Sequence, residues 1–514
     1  MRPNPHAVLL AVATLVSAPA AVRAQGPAAG GDGWTLPASP PPLAVTRAEL
    51  ARRRAALEYA MGDGVLVVLG EREPDADYLP FAQNPPFRYL TAVTEPGAVL
   101  VVEKTDGALR ETLFVQPRDP SQEIWEGARM GPGRAASITG IAARPAGELR
   151  AVLDSLLARP RALYTLSPLP EDAGASETPR PDEHLAAELA AAHPGVRVVP
   201  LDAALMRLRA FKSPAELDHL RRAVLVTTLA LREAVRSVRP GMAEFEVQAL
   251  IEGTFRRNGA ERPGFASIVG SGPNSTTLHY READRFMAAG EVLVMDVGAS
   301  YRGYSADVTR TVPVGGAFSP RQREVYGVVL DAQKAAEALA RPGASWDRLN
   351  AAADVVIQRG LARLGLIDAP GATYACDGGA RCPQAALFYP HGLGHGIGLD
   401  VHDPDASYFG PFRPGSAFTL EPGIYVRADV LDYLPDAPEN QALRARLAPA
   451  VARYRDVGVR IEDDYFITGT GVERVSAGAP REIAEVEALM REPSPWNAAR
   501  RAEVVDWYRA TAPR

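Results

Sequence analysis

Short hydrophobic runs and longer amphipathic stretches alternate along the first part of the chain. The short runs are rich in Val and Leu, as in buried strands, and the longer stretches repeat apolar residues at helical spacing. The pattern predicts strands at 64–69, 98–102, 112–115 and 196–199 and helices at 47–61, 148–157 and 183–192. Such alternation is typical of α/β structure, so we expect a smaller α/β domain over residues 46–210.

A long amphipathic stretch opens the second part of the chain. Ser213 and Pro214 supply an N-cap and a first-turn proline, so a helix is predicted from this point through Val238. A second helix is predicted over residues 243–258. The remainder mixes helices with strands that are dense in glycine turns, which favours an α+β domain over residues 211–490 rather than regular βαβ units.

Both ends of the chain differ from the two domains. Residues 1–24 combine Arg2 with an apolar run and small residues, the pattern of a signal peptide cleaved after Ala24. A membrane anchor is the alternative, but the apolar run is too short to span a bilayer comfortably. Residues 25–45 are rich in Gly, Pro and Ala, which predicts a flexible linker, and residues 491–514 are predicted to form a helical tail.

The overall composition is that of a globular protein. Hydrophobic residues make up 46% and charged residues 23% of the 514 positions, so a large core is available. The formal net charge is −6 and no basic stripe is present, so we expect no nucleic-acid partner. No second stretch is long and apolar enough to cross a membrane. We therefore expect an exported protein, periplasmic or secreted, without membrane contact once the signal peptide is removed.

Cys376 and Cys382 are the only cysteines, and they lie close together in a Gly-containing stretch. In an exported protein this arrangement favours a local disulfide. A cysteine metal site is disfavoured because no second pair exists. Two free thiols are the remaining alternative.

Two aspartates stand inside strand-like hydrophobic runs. Asp296 lies in VLVMDVG and Asp307 in ADVTRTV, on either side of a Gly-containing turn, so a β-hairpin is predicted. An unpaired carboxylate in an apolar strand is costly, and two facing carboxylates repel unless cations lie between them. Pairing with Arg302 or Arg310 is the alternative.

Three of the eight histidines fall in one Gly-rich segment, HGLGHGIGLDVHD. They are His391, His395 and His402, and the glycines between them let the backbone approach a ligand closely. A single histidine is usually structural, whereas three in such a loop favour metal binding or acid–base catalysis.

Two glutamates each end a strand-like run, Glu421 in FTLEPGIY and Glu462 in VRIEDD. Taken singly, Glu421 could cap a turn and Glu462 could pair with Arg460. Together with the two aspartates and His395 they form an oxygen-rich donor set whose charge balances two divalent cations. Mn²⁺ suits this set, with Fe²⁺, Co²⁺ or Zn²⁺ as alternatives. Two such ions can lower the pKa of a shared water to near neutrality.

In order and local context these five residues closely resemble the ligands of the metallopeptidase family that includes aminopeptidase P, prolidase and methionine aminopeptidase. The resemblance implies an α+β catalytic domain with the pita-bread (creatinase/aminopeptidase-like) fold. It also implies a metal-bridging hydroxide that attacks the carbonyl before proline, with Glu421 as general base. The implied metal ligands are Asp296 (MDVG), Asp307 (ADVTRT), His395 (HGLGH), Glu421 (EPGIY) and Glu462 (RIEDD).

The same resemblance assigns residues to the substrate, a peptide with proline at its second position. His279, in the segment NSTTLHY, and His402 are implied to steady the substrate carbonyl and the tetrahedral intermediate. His391 is implied to line the proline pocket. Arg460 and Tyr425 stand beside matching ligand motifs and are also expected to contribute to substrate binding.

The first domain is similar to the N-terminal domain of aminopeptidase P in the segments FAQNPPFRYLT and RDPSQEIW. The resemblance implies a creatinase-like α/β domain and a homodimer or homotetramer. In the family, the tryptophan that matches Trp125 reaches a neighbouring subunit's active site; a buried core tryptophan is the alternative. The chain departs from the family pattern at Ala82, where arginine is usual, and at Ala92 and Gly396.

Two other activities stay open at this point. Glu421 and Glu462 are 41 positions apart, an interval more like that of prolidases, so an Xaa-Pro dipeptidase with the same site is one alternative. A metal-free relative that serves as a binding module, or that runs non-peptide chemistry as creatinase does, is the other. Such relatives lose the ligands, and this chain keeps all five.

Overall fold

The computed structural model describes residues 34–37, 42–74, 80–167 and 180–494. The predicted signal peptide (1–24), part of the predicted linker and residues 495–514 of the predicted tail lie outside the described residues. In the linker, Trp34 packs on Arg232, whose guanidinium carbon lies 4.5 Å from the ring centroid. Within the described part of the chain, none of the helices combines the length and apolar character needed to cross a bilayer.

A six-stranded mixed sheet with helices on both faces forms the N-terminal domain. Its elements are α1 (Arg47–Tyr59), β1 (Gly64–Leu69), α2 (Pro85–Thr91), β2 (Val99–Thr105), β3 (Ala108–Val115), α3 (Pro120–Glu126), α4 (Gly131–Thr139), β4 (Ala142–Pro145), α5 (Leu149–Leu157), β5 (Ala162–Thr165), α6 (Pro181–Ala192), β6 (Arg197–Pro200) and α7 (Asp202–Arg209). The strand order is β4-β3-β2-β1-β5-β6. Strands β1, β2 and β3 pair antiparallel, and the other neighbours pair parallel.

Strand β1 shows why both faces of this sheet are covered. Its successive residues point to opposite faces, so an all-apolar strand must be buried on both sides. Val65 and Val67 pack in one cluster with residues of α5 and α6. Leu66 and Val68 pack in another cluster with residues of α1, α2 and α7.

The C-terminal domain contains more and shorter strands, arranged in several small sheets. Its elements are α8 (Pro214–Ser237), α9 (Glu244–Arg257), β7 (Arg262–Pro263), β8 (Ile268–Ser271), β9 (Val292–Val297), β10 (Ala299–Tyr301), β11 (Tyr304–Ser305), β12 (Val308–Pro313), α10 (Pro320–Glu337), α11 (Trp346–Leu364), β13 (Thr373–Ala375), β14 (Arg381–Pro383), α12 (Ala406–Phe409), β15 (Ala417–Leu420), β16 (Gly423–Val426), α13 (Pro438–Tyr454), β17 (Val457–Arg460), β18 (Asp463–Ile467), β19 (Val472–Arg474) and α14 (Ile483–Met490). Short 3₁₀ turns lie at Ala146–Glu148, Gly272–Thr276, Asp377–Gly379, Gln384–Leu387 and Val430–Tyr433.

Helix α8 begins where the sequence predicts it. The Ser213 hydroxyl accepts a hydrogen bond from the Glu216 amide, and the Glu216 carboxylate accepts one from the Ser213 amide. This capping box satisfies amide groups that a helix start leaves unpaired. Pro214 fills the first turn, where a missing N–H does no harm.

Strand β9 turns its apolar residues to the core and Asp296 away from it. Leu293, Met295 and Val297 belong to the main hydrophobic core with α8, α10 and α11. Asp296 lies between two of them in sequence, so its side chain points to the other face of the sheet. The alternation therefore aims a carboxylate into the space beyond the core.

The two aspartates do not face each other across a simple hairpin. Strands β9 and β12 do pair antiparallel, but Asp296 stands opposite Thr309. Asp307 precedes β12 and is diagonal to Asp296 on the same face. The chain between β9 and β12 forms a second, smaller hairpin, β10–β11, which joins β7 in a separate sheet.

The long interval between Glu421 and Glu462 contains α13, which packs beside the β13–β14 hairpin. Asn440 of α13 donates to the Ala375 carbonyl at 2.9 Å and accepts from the Ala375 amide at 3.1 Å. Across the end of this hairpin Cys376 and Cys382 form a disulfide, with Cα atoms 5.9 Å apart. The disulfide and the asparagine thus both hold the turn end of the same short hairpin.

Candidate metal centre

All five predicted metal ligands lie on one cavity of about 300 Å³ in the C-terminal domain. Asp296 comes from β9, and Asp307 directly precedes β12. His395 lies on the Gly-rich loop. Glu421 joins β15 to β16, and Glu462 joins β17 to β18. Five separate positions along the chain therefore converge on this cavity.

Strand register explains how the two glutamates meet. Strand β15 pairs with β18, and β16 pairs with β17. Leu420 stands opposite Asp463, and Gly423 stands opposite Arg460. Between these pairs both chains break from the ladder, and the breaks place Glu421 and Glu462 near each other.

The donor atoms are close enough to share cations. One ligand atom each from Asp307, His395 and Glu462 lies within 4.8 Å of the others. His395 Nε2 is 3.6 Å from Asp307 Oδ2 and 3.3 Å from Glu421 Oε1. These separations suit oxygen and nitrogen atoms around a small divalent ion.

Three carboxylate oxygens in this group have no hydrogen-bond partner in the described protein: Asp296 Oδ1, Asp307 Oδ1 and Glu462 Oε1. All three are buried. A buried charged oxygen without a partner is strongly unfavourable unless a cation compensates it. The residues present therefore fit divalent metal ions.

The remaining ligand atoms are oriented by hydrogen bonds. Glu462 Oε2 accepts from the Thr309 hydroxyl at 2.6 Å. His395 Nδ1 lies 3.0 Å from the Gly396 carbonyl, which places the ring proton on Nδ1 and leaves the Nε2 lone pair for a metal. Thr309 stands opposite Asp296 in the β-ladder, so one threonine connects two ligand strands.

Burial and mutual repulsion shift the acidities of these groups. Burial, followed by repulsion from the neighbouring carboxylates, raises the pKa of Asp307 and of Glu462 well above their usual range. Burial also raises the pKa of Glu421 to about 7, although Arg460 opposes the shift. Burial lowers the pKa of His395, which favours the neutral ring that a metal requires.

Neither Arg302 nor Arg310 forms an ion pair with Asp296 or Asp307, so this alternative from the sequence is wrong. Arg310 is fully buried and pairs with Asp463 at 2.6 Å, and its Nη1 donates to the Glu462 carbonyl at 2.6 Å. It therefore supports the backbone behind the last ligand and leaves the aspartates to other partners. Asp464 accepts from the Asp307 amide at 3.1 Å. Asp463 and Asp464, the last two acids of RIEDD, are the sequence signal for this buried network. The sequence analysis assigned no role to either residue.

Arg460 is the arginine that pairs with one of the predicted ligands, Asp296. Its Nη2 lies 2.5 Å from Asp296 Oδ2, so it is not the partner of Glu462. Its Nη1 donates to the Tyr425 hydroxyl at 2.8 Å, and that hydroxyl lies 2.9 Å from His391 Nε2. These contacts connect Asp296 to His391 through Arg460 and Tyr425. Burial, together with the nearby Arg460, lowers the pKa of His391 to about 4.

His279, His391 and His402 all line the same cavity. The ring centroid of His402 lies 4.3 Å from that of His395, in a T-shaped arrangement. His279 comes from the segment after the 3₁₀ turn Gly272–Thr276. The structure therefore brings the three histidines expected to contact substrate around the predicted ligand set.

The loop that carries His395 and His402 closes on Asp403. The Asp403 amide donates a hydrogen bond to the Gly396 carbonyl at 2.8 Å. A Cβ atom on Gly396 or Gly398 would collide with Asp403. These close approaches explain the glycines of the loop, including the unusual Gly396.

Two cations from the domain junction hold Asp403. Lys212 Nζ lies 2.9 Å from Asp403 Oδ2, and Arg209 contacts the other carboxylate oxygen. Arg209 also lies 2.5 Å from Asp400. Burial alone would raise the pKa of Asp403, but the two cations hold it below its usual value. Sequence reasoning missed this cluster because its partners are far apart in the chain.

Trp125 lies outside this cavity and is 85% exposed on α3. The alternative of a buried core tryptophan is therefore wrong. Its neighbour Ile124 is 81% exposed. Two adjacent large apolar side chains project from the N-terminal domain.

Comparisons with known proteins cover both domains. Residues 218–469 match the profile of metallopeptidase family M24, and residues 50–164 match the aminopeptidase P N-terminal domain. The Xaa-Pro aminopeptidase of Escherichia coli K12 is 34% identical over 466 residues, which cover 87% of this chain and 98% of the relative. Xaa-Pro aminopeptidase 3 of Homo sapiens is 31% identical over 421 residues, covering 80% and 78%. The solved structure of E. coli aminopeptidase P in its low-pH form has a TM-score of 0.71 at 32% identity, covering 87% of this chain and 99% of that one.

Proposed function

The chain belongs to metallopeptidase family M24, with the two-domain fold of aminopeptidase P, and we propose that it removes the first residue from peptides with proline at the second position. The observation that carries this proposal is the convergence of five metal-ligand side chains on one cavity, with three carboxylate oxygens left unpartnered. The proposed substrate class follows from two relatives that are named Xaa-Pro aminopeptidases and that match this chain across both domains.

We assign two divalent cations to the cavity, held by Asp296, Asp307, His395, Glu421 and Glu462. When bound, such ions would supply positive charge that acidifies a water molecule and polarises the substrate carbonyl. The oxygen-rich donor set favours Mn²⁺, with Fe²⁺, Co²⁺ or Zn²⁺ as alternatives. The raised pKa values of Asp307 and Glu462 support this assignment, because both carboxylates need nearby positive charge to ionise at neutral pH.

Glu421 is the proposed general base. Its side chain is 17% exposed, so unlike Glu462 it remains in reach of water. An ionised carboxylate in this position can take a proton from the attacking water and return it to the leaving amine. The Thr419 hydroxyl, 3.3 Å from Glu421 Oε1, helps to hold the carboxylate in place.

The histidines on the cavity wall are proposed to act on the substrate itself. His279 and His402 would donate hydrogen bonds to the scissile carbonyl and to the tetrahedral intermediate. His391 would line the proline pocket. Arg460 and Tyr425 would hold His391 and Asp296 in position, because their hydrogen bonds connect these two walls.

Cleavage of two substrates tests the proposal against the dipeptidase alternative. Enzyme loaded with Mn²⁺ is incubated with an Xaa-Pro dipeptide and with a longer Xaa-Pro-Yaa peptide, and products are read by mass spectrometry. We expect release of the first residue from the longer peptide. Cleavage of the dipeptide alone would establish a dipeptidase, and failure to cleave either, with metal bound, would exclude both activities.

Replacement of Glu421 tests its role as the base. We expect Glu421→Ala to lower kcat by about 100-fold or more, the size of a lost acid–base contribution. Glu439→Gln, which alters an exposed ion pair with Arg381, is the matched control. Full activity in Glu421→Ala would overturn the mechanism.

Export is also part of the proposal. The sequence of residues 1–24 supports it, and a disulfide between Cys376 and Cys382 suits an oxidising compartment. The mature protein would be periplasmic or secreted. N-terminal sequencing of protein made in its natural host should begin at Gln25; an N-terminus at Met1 would contradict export by this signal.

A further inference from the structure

Arg281 lines the metal cavity, and the proposed mechanism does not use it. The other charged residues of the cavity wall are accounted for. Four carboxylates are proposed metal ligands, and Arg460 pairs with one of them, Asp296. Three histidines are proposed to act on the substrate. Arg281 is therefore a positive charge at the active site for which a partner has to be found.

The guanidinium of Arg281 has no carboxylate partner in the described part of the chain. Among those residues Arg281 forms no ion pair, and its hydrogen bond to Glu282 Oε2 at 3.2 Å comes from the backbone amide. Arg281 is exposed although it lines the cavity, so its side chain lies at the cavity mouth. A guanidinium in this position stays hydrated until an anion displaces the water.

The backbone on both sides of Arg281 is held in place. Tyr280, directly before it, is buried and donates its hydroxyl hydrogen to Glu244 Oε2 at 2.9 Å. The Asp284 amide donates to the same hydroxyl at 3.3 Å, and Ala283 is buried as well. Arg281 therefore projects from a fixed segment, which limits the positions that its guanidinium can reach.

The substrate brings few charges into this cavity, and the inference drawn from them rests on the proposed function. The cavity must hold the first residue and the proline, because the bond between them is the one cleaved. A protonated amino terminus repels a guanidinium, and the proline ring is apolar. In a peptide of three or more residues, the side chain of the first residue is therefore the only group of these two residues that can carry a negative charge.

The uncharged part of the cavity wall suits the stem of such a side chain. It is formed by apolar residues: Phe265, Ala266, Ile268, Leu278 and Val401. Apolar neighbours exclude water, and an ion pair is stronger in such surroundings than in bulk water. An arginine at the mouth of a partly apolar cavity matches a side chain with methylene groups and a terminal carboxylate, as in glutamate.

We propose that Arg281 selects the first residue of the substrate by pairing with an acidic side chain. Its planar guanidinium can hold a carboxylate through two parallel hydrogen bonds. Peptides with glutamate before proline are then favoured substrates, and peptides with lysine or arginine there are disfavoured. The position before proline is thus read by its charge.

Substrates that differ only in the charge of the first side chain test the proposal. They are tripeptide amides with glutamate, glutamine or lysine before proline and alanine after it, and amidation removes the C-terminal carboxylate. We expect kcat/KM for the glutamate peptide to exceed that for the glutamine peptide roughly 3- to 10-fold, mainly through KM, as one partly exposed charged contact predicts. This advantage should shrink at high ionic strength.

Variants of Arg281 assign the preference to this residue. Arg281→Gln should lower kcat/KM for the glutamate peptide to within about twofold of the value for the glutamine peptide. Arg281→Glu should reverse the order, so that the lysine peptide becomes a better substrate than the glutamate peptide. Arg257→Gln, at an exposed arginine that ends α9 outside the metal cavity, is the control for loss of one positive charge.

Binding provides a readout that does not depend on turnover. Calorimetry with the inactive variant Glu421→Ala should show tighter binding of the glutamate peptide than of the glutamine peptide. Addition of Arg281→Gln to that variant should remove the difference. Equal affinities for the two peptides before Arg281 is replaced would contradict the proposal.

Three kinetic outcomes would also overturn it. The first is equal kcat/KM for the glutamate and glutamine peptides in the parent. The second is an equal loss for all three amides in Arg281→Gln, because Arg281 would then act on a group common to every substrate, such as the scissile carbonyl. The third is a loss confined to a free glutaminyl-proline dipeptide, which would place the guanidinium at the proline carboxylate. Failure of the metal-loaded parent to cleave any of these peptides would instead overturn the proposed function.

Discussion

Lys212 Nζ lies 2.9 Å from Asp403 Oδ2, in a contact that ties the junction between the domains to the loop carrying His402. Both side chains are almost fully buried. Arg209 reaches the same carboxylate from the end of α7. We therefore expect the orientation of His402 to depend on Arg209 and Lys212, which lie at the junction between the two domains.

Removing one cation of this cluster should destabilise the protein. Arg209→Met leaves Asp400 and Asp403 short of buried positive charge, which we expect to lower the free energy of unfolding by about 3–5 kcal/mol. Urea unfolding measures the change. The double variant Arg209→Met with Asp403→Asn should recover part of the loss because it also removes one buried negative charge.

Activity of the same variants separates stability from positioning. At a temperature where all variants remain folded, the double variant should still show a reduced kcat. The reason is that the position of His402 depends on the loop that Asp403 anchors. Parental kcat in a refolded, stable double variant would show that the cluster serves stability alone.

Without metal, the protein should lose stability as the pH rises through neutrality. Burial raises the pKa of Glu421 from 4.5 to about 7 in the folded protein, so folding favours its protonated form. This contribution is fully present below about pH 4.5, is lost as the pH rises through 7, and amounts to at most about 3 kcal/mol. Asp307 and Glu462 act in the same direction. Thermal unfolding of chelator-treated protein between pH 5 and pH 8 measures the effect.

Added Mn²⁺ should reverse this trend, because cations favour the ionised carboxylates. Glu421→Gln, which cannot ionise, should flatten the pH dependence of the metal-free protein. A metal-free protein equally stable at both pH values would contradict the assignment of these residues to a buried, repelling cluster.

His391 should remain neutral throughout the working range. Its pKa of about 4 means that the ring carries a proton on only one nitrogen above that pH. We expect His391→Gln to raise KM while the pH profile of kcat/KM keeps its shape between about pH 5 and 9. Steady-state kinetics across this range provides the check, and loss of an acidic limb in the variant would show that His391 titrates in catalysis.

Trp125 should serve assembly rather than the stability of one chain. An exposed tryptophan beside an exposed isoleucine fits an interface between subunits. We expect the parent protein to form dimers or tetramers, and we expect Trp125→Ala to dissociate them and to lower kcat/KM while the thermal midpoint of dilute protein stays unchanged. Analytical ultracentrifugation and kinetics at matched concentrations measure both, with Tyr59→Ala as an exposed aromatic control.

Local sequence patterns predict helices and strands well where a helix cap or a run of apolar residues marks the element. The N-cap at Ser213 and the strand-like run that contains Asp296 are local, and both appear in the structure where expected. The metal-ligand set was predicted because each member stands in a distinctive short motif. Convergence of these motifs on one cavity agrees with that interpretation.

Long-range pairing could not be predicted in the same way. The sequence places Arg310 near the two aspartates, yet it pairs with Asp463, more than a hundred positions away. Asp403 follows the conspicuous His402, but nothing near it reveals Lys212 as its partner. Buried charges choose partners by where strands and loops meet in space, and that information is spread over the whole chain.

The proposed metal ligands are spread from Asp296 to Glu462, an interval of 166 positions. A chain synthesised from its N-terminus completes the whole N-terminal domain before the first ligand exists, and the last ligand appears much later. Metal loading is therefore a late event in biogenesis. For an exported chain, the ion acquired is then set by the metals available where the C-terminal domain finishes folding, and not by those of the compartment where translation began.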